Sequence, residues 1–126
     1  MKIQIVKIIK LNIVEFSTKY GSGIGLCENV EGLEETKVYS AEIDIHSRIN
    51  LNHNAAIVSD RRYFIKHHQD ENEIQGLVEQ IDEDGLIYLR VGDDCIIMIE
   101  NDSNQISKGE YLLIKVKLTD LEITIS

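Results

Sequence analysis

The sequence predicts a single all-β domain over residues 1–126, an antiparallel barrel in preference to a sandwich, and three observations lead there. Apolar and polar residues alternate with a period of two over most of the chain, the spacing of strands whose side chains point to opposite faces. Isoleucine dominates the apolar positions, and β-branched side chains pack well on a pleated surface. Proline is absent, so Gly, Asn and Asp must make the turns. With 126 residues, 43% of them hydrophobic, the chain can bury a core without disulfides or metals.

In chain order, the opening residues set Ile9, Leu11 and Ile13 against Lys10 and Asn12, a first strand. Alternation fades from Ser17 to Tyr39, where Gly21, Gly23, Gly25 and Gly32 lie among Glu28, Glu31, Glu34 and Glu35; this segment reads as loops around a short strand or helical turn. Within it, GSGIG has the spacing G-x-G-x-G, not the G-x-G-x-x-G of a phosphate-cradling loop, and LCENVEGLEET after it makes a poor helix, so a glycine-rich turn is expected. EIDIHSRINLN, residues 42–52, reads as one long half-exposed strand with Ile43, Ile45, Ile49 and Leu51 on one face.

Residues 70–81 allow two readings. Ile74, Leu77, Val78 and Ile81 fall at helical spacing behind a capping-box-like Asp70 and Glu73, which would give the fold one short helix. A hairpin is favoured, because Gly76 costs a helix about 1 kcal/mol relative to alanine and Asp84-Gly85 between apolar runs is a strong hairpin signal. Asp82 to Gly85 and Gly92 to Asp94 then bound a meander of Leu77–Ile81, Leu86–Val91 and Cys95–Glu100, followed by strands at Glu110–Leu118 and Leu121–Ile125 around a turn at Thr119-Asp120. About eight short strands fit a closed barrel, which removes exposed edges.

Reaction chemistry finds little footing in this pattern. An EF-hand frame with Gly85 at its sixth position puts Gln80 first and Val91 twelfth, so the acidic ligands that calcium needs are missing. His46, His53, His67 and His68 stand at none of the usual zinc spacings, and no serine has a G-x-S-x-G context. No catalytic residue, cofactor or metal ligand is therefore assigned, and no enzyme activity is expected. Cys95 opens the apolar run CIIMIE and, with Cys27, is read as a buried free thiol. The N-terminal MKIQIVKIIKLNIVEF mixes lysines among its apolar residues and falls short of the ~20 apolar residues of a membrane span. A cytoplasmic protein that does not enter membranes is expected.

Charge is what stands out. The chain carries a net charge of -9, yet between Asp70 and Asp102 eleven acidic residues face one basic residue, Arg90, and the remainder is near neutral. Asp82, Glu83, Asp84, Asp93, Asp94, Glu100 and Asp102 are the candidate partner-binding residues. In a meander the two Asp turns lie at opposite ends of one strand, ~20 Å apart for six residues, so they cannot form one ion site. Their charge repels phosphate backbones and steers basic proteins, making nucleic acid an unlikely partner.

Small size, acidity and missing catalytic motifs together resemble bacterial immunity proteins, including those of contact-dependent growth inhibition and other toxin-antitoxin systems. The resemblance implies a tight complex in which carboxylates cover the substrate surface of a cognate basic toxin domain, a nuclease in type. GLVEQIDEDGLIYLRVGDDCIIMIE is in addition similar to the hairpins of OB-type and S1-like small barrels, which bind oligonucleotides through basic and aromatic strand faces. This chain departs from them in having no Trp and an acidic meander. RRYFIK, with Arg61, Arg62, Tyr63, Phe64 and Lys66, is the one basic-aromatic patch and keeps open the alternative of an OB-like nucleic-acid or ligand binder. A purely solubilising or structural acidic domain is the remaining alternative.

Overall fold

A computed structural model describes residues 1–10, 12–28 and 30–126; Leu11, expected with Ile9 and Ile13, lies outside the described residues. Eleven strands form: β1 Lys2–Lys10, β2 Ile13–Thr18, β3 Gly21–Leu26, β4 Val38–Ile45, β5 Ala55–Val58, β6 Phe64–His68, β7 Glu71–Ile81, β8 Ile87–Arg90, β9 Ile96–Ile99, β10 Tyr111–Lys117 and β11 Leu121–Ile125. Among the described residues the only helical element is a 3-10 turn at Leu118–Asp120, the turn expected before the last strand. Residues 71–81 are strand, so the hairpin reading holds.

Five strands close a barrel in the order β1-β2-β3-β11-β4 and back to β1. The contacts are antiparallel except that of β3 with β11, where Leu26 pairs with Glu122 in parallel. The run GLVEQIDEDGLIYLRVGDDCIIMIE, likened to the hairpins of OB-type barrels, lies outside this closure, in β7, β8 and β9. β1 pairs with β4 along one edge from Lys2 to Gln4 and with β2 along the other as far as Lys10, the β2 ladder being interrupted by register shifts between Ile5 and Lys7 and between Ile8 and Lys10.

The remaining six strands form a curled extension inserted between β4 and β11. β7 is its axis, with β6 and then β8 along one edge, β10 along the other, β9 beyond β8 and β5 beyond β10. Isoleucines line the interior: Ile3, Ile5, Ile65, Ile74, Ile87, Ile97, Ile99 and Ile114 join Phe16 and Leu112 in one core that runs through barrel and extension.

Three expectations change. Ile9 and Ile13 do not share one strand: β1 ends at Lys10, which pairs with Ile13 at the start of β2, so the two isoleucines stand on successive antiparallel strands. The stretch 42–52 does not continue as one strand: β4 stops at Ile45, where its ladder with β11 ends opposite Leu121. Beyond it, Asn54 offers the backbone a local alternative, accepting from the Asn50 N–H and donating to the Arg48 carbonyl, while Asn52 turns the chain at φ 66°. Ile49 nonetheless stays buried and bridges to Asn101. GSGIG is not a turn but most of β3. Its glycines lie where neighbours press closest: a Cβ at Gly25 would stand 2.7 Å from the Leu121 carbonyl oxygen, and one at Gly23 would stand 2.6 Å from the Phe16 ring.

Barrel and extension meet at β3. The start of β3 pairs with β6 and its end with β11, both in parallel, leaving the Ile24 backbone between them without a strand partner on that edge, although its other edge lies along β2 opposite Glu15. Asn72, fully buried on β7, fills the gap as a peptide would: its Oδ1 accepts from the Ile24 N–H at 2.8 Å, and its Nδ2 donates to the Ile24 carbonyl at 2.8 Å and the Val116 carbonyl at 3.2 Å.

Candidate protein interface

The seven carboxylates singled out by charge have different roles. Asp82 is used by its own turn: its Oδ1 accepts from the backbone N–H of Asp84 and of Leu86, and Gly85 completes the turn at φ 83°. Glu100 and Asp102, at the end of β9, grip Arg48 at 3.0 and 2.7 Å. That fork raises the Arg48 pKa, the Asp102 hydrogen bond contributing most. Asp93 lies 3.9 Å from Lys19, an exposed and weak pair. Among the described residues Glu83, Asp84 and Asp94 make no ion pair. The turn at Asp82 and the turn at Asp93 lie at opposite ends of β8, as the meander requires. On one side, the structure brings Asp82, Asp84, Glu100 and Arg48 around an open cleft of about 330 Å³ floored by Leu86. No group of three or more His, Cys, Asp or Glu side chains among the described residues could hold a metal ion.

Between the two acidic ends lies a surface that charge counting did not find. Antiparallel pairing places Tyr88 opposite Met98 and Arg90 opposite Ile96, and these four form the outer face of β8–β9. The row continues from Arg90 to Leu77 on β7 and from Leu77 to Tyr111 on β10. Ile96 is 42% exposed and Met98 54%. Arg90 is pinned in the middle: its Nε and Nη2 donate to the two Glu79 carboxylate oxygens at 2.7 and 3.1 Å, and its Nη1 donates to the carbonyls of Gly92 and Asp93. These bonds hold the Glu79 carboxyl below its ordinary pKa. Their bidentate geometry keeps the guanidinium flat on the sheet.

RRYFIK borders the same face and is largely self-satisfied. Arg62 donates to Asp60 at 2.7 Å, Lys66 lies 3.5 Å from Glu73, and both cations also sit against the Phe64 ring. Tyr63 packs edge-on against Tyr20 at 5.7 Å and beside Tyr111 at 6.0 Å, with Arg61 over Tyr111. Buried Gln75 fastens this loop by donating to the Asp60 and Arg62 carbonyls. The aromatic residues thus join the barrel hairpin at Tyr20 to the extension.

The histidines are dispersed: His46 bonds Glu122 at 3.1 Å, His67 lies 3.8 Å from Glu15, and His53 and His68 are exposed. Cys27 and Cys95 are buried, and desolvation pushes the Cys95 thiol from 9.0 up to about 11. A thiol so raised is a poor nucleophile. At pH 8, iodoacetamide is expected to leave Cys95 unmodified in the native protein and to alkylate it in urea, read by peptide mass; labelling of the native protein at the denatured rate would contradict its burial. Because the unfolded thiol ionises first, its stabilising contribution is complete below pH 9.0 and is lost as pH rises toward about 11.

Sequence reasoning missed Met98 and Ile96 as surface groups, although a signal existed. IIMI is apolar at every position, whereas a strand with one buried face alternates; an unbroken apolar run on a strand paired along only one edge must put side chains into solvent. Compared with protein-family profiles, with curated proteins and with solved structures, the chain shows no match to any of them.

Proposed function

We propose that this protein binds a basic protein partner and, within that class, acts as a bacterial immunity protein that covers the substrate surface of a cationic toxin domain, a nuclease in type. The observation that carries this reading is the uncompensated charge at the two ends of β8: Glu83 and Asp84 at one end and Asp94 at the other have no cationic partner among the described residues, while the cations of RRYFIK are taken up internally. Carboxylates left unpaired at these turns are free to pair across an interface, where they raise association rates and discriminate against wrong partners. The net charge of -9 favours a protein partner over nucleic acid, whose phosphates it repels. Burial of both cysteines suits a reducing cytoplasm.

The test uses Glu83→Lys, Asp84→Lys and Asp94→Lys together, leaving Asp82 intact because its turn needs it. In stopped-flow measurements against a purified cationic nuclease toxin domain, association is expected to slow by about tenfold or more at low salt, with the difference shrinking as salt rises. An association rate unchanged by the triple reversal would reduce the acidic ends to a solubilising surface.

A further inference from the structure

We infer that the partner seats on the outer face of β8–β9, with Met98 and Ile96 as its apolar anchors and the two acidic turns as its charged rim; this rests on the reading just proposed and gives it a location. Four observations meet on this face. Met98 and Ile96 are exposed side by side on a strand that pairs only with β8. Tyr88 and Leu77 extend the apolar surface across the ladder, so the exposed groups are contiguous and not scattered. Arg90 in their midst is already locked to Glu79 and to two carbonyls, so it presents a flat guanidinium without needing to be ordered on binding. Tyr, Met and Arg at the centre with charge at the rim is the composition of protein interfaces, in which a few central side chains carry most of the energy.

Charge selects the occupant. A second copy of this chain would pair the face with itself about a two-fold axis, and both ends of β8 are acidic. Either orientation of such a pair therefore sets carboxylate turns against carboxylate turns, a like-charge juxtaposition that disfavours it. A partner carrying Lys or Arg on both sides of an apolar protrusion fits instead. The spacing follows from the six residues Leu86 to Val91 between the two turns, ~20 Å of extended chain.

The experiment measures binding of the full chain to a purified cationic nuclease toxin domain, comparing wild type with Met98→Ala, Ile96→Ala, the triple charge reversal and Val38→Ala, the last removing an exposed apolar side chain from β4 of the barrel. Circular dichroism melts accompany each variant, and both anchor changes are expected to leave the melt unchanged because the side chains lie outside the core. The expected result is an affinity loss of about tenfold or more for Met98→Ala and Ile96→Ala, expressed in the dissociation rate, with Val38→Ala neutral. If charge reversal slows association while both anchor variants bind like wild type, the docking face is overturned and the acidic reading stands. If wild type does not bind, the reading falls and the face falls with it. Loss equal for Val38→Ala and the anchors would likewise overturn the assignment to this face.

Discussion

Asn72→Ala is expected to lower unfolding free energy by about 3–5 kcal/mol, a large part of the roughly 5–15 kcal/mol that holds a domain of this size together. The carboxamide satisfies three backbone groups at once, the Ile24 N–H, the Ile24 carbonyl and the Val116 carbonyl, in a site with no exposed surface. Each buried group left unpaired costs about 1–3 kcal/mol, and water entering the space left by the side chain recovers only part of that. The location adds to the effect, because β3 passes from β6 to β11 at this residue and no strand replaces the lost partner. Asn72→Asp keeps the acceptor for Ile24 but loses both donated bonds and buries a charge, so it should destabilise near neutral pH and recover partly in acid, where the protonated carboxyl can donate again. Urea unfolding monitored by circular dichroism reads both variants. A midpoint for Asn72→Ala corresponding to less than about 1 kcal/mol would show that the seam between barrel and extension is held elsewhere.

The fold was legible in the sequence wherever one face of a strand meets water, and it became illegible wherever both faces or both edges are occupied. Leu112, Ile114 and Val116 on β10, and Leu121 and Ile123 on β11, alternate cleanly and were placed on their buried faces by period alone. The Asp-Gly turn was readable because Gly85 adopts the positive φ that such a turn requires. By contrast, β3 reads GSGIGL, a poor strand by propensity, because the constraint comes from Phe16 and Leu121 pressing on its glycines from outside the local sequence. The end of β4 at Ile45 was hidden for a related reason: the alternation of EIDIHSRINLN continues, but the partner strand does not.

For the candidate site, the opposed positions of the two acidic turns followed from the meander, while the roles of their members did not. Nothing local distinguishes Asp82, which holds its turn, from Asp84, which points into solvent; the difference lies in which oxygen the folded backbone approaches. Asn72 and Gln75 were likewise overlooked. Nothing in ENEIQGLVEQI sets Asn72 and Gln75 apart from its other polar residues until the gap in β3 and the loop at Asp60–Arg62 supply their partners. Buried amides in a strand are thus a signal of a seam, because burying one without a partner is costly.

Gly21→Ala is expected to cost about 3 kcal/mol or more and to loosen the join between barrel and extension without dissolving the core they share. Gly21 has φ 129°, a region that L side chains rarely enter, and a Cβ built there would overlap the Ile65 carbonyl oxygen. Both costs must be met together. Rotating Gly21 into an ordinary strand conformation would re-aim the Tyr20 hairpin, and drawing Ile65 away would break the parallel bridge between β3 and β6 and the hydrogen bond from the Ile65 N–H to the Tyr20 carbonyl. Tyr20 in turn carries the contact to Tyr63, and its hydroxyl accepts from the Asp93 N–H at the acidic end of β8. The expected signature is therefore local as well as global: amide exchange should quicken at Ile65 and Asp93 by more than at Ile123, which lies on β11 paired with Ile43. Uniform acceleration at all three amides would mean that the substitution weakens the whole domain and that the Tyr20 hairpin is no separate hinge. Unchanged exchange at Ile65 would remove Gly21 as the point where the two halves of the molecule are fastened.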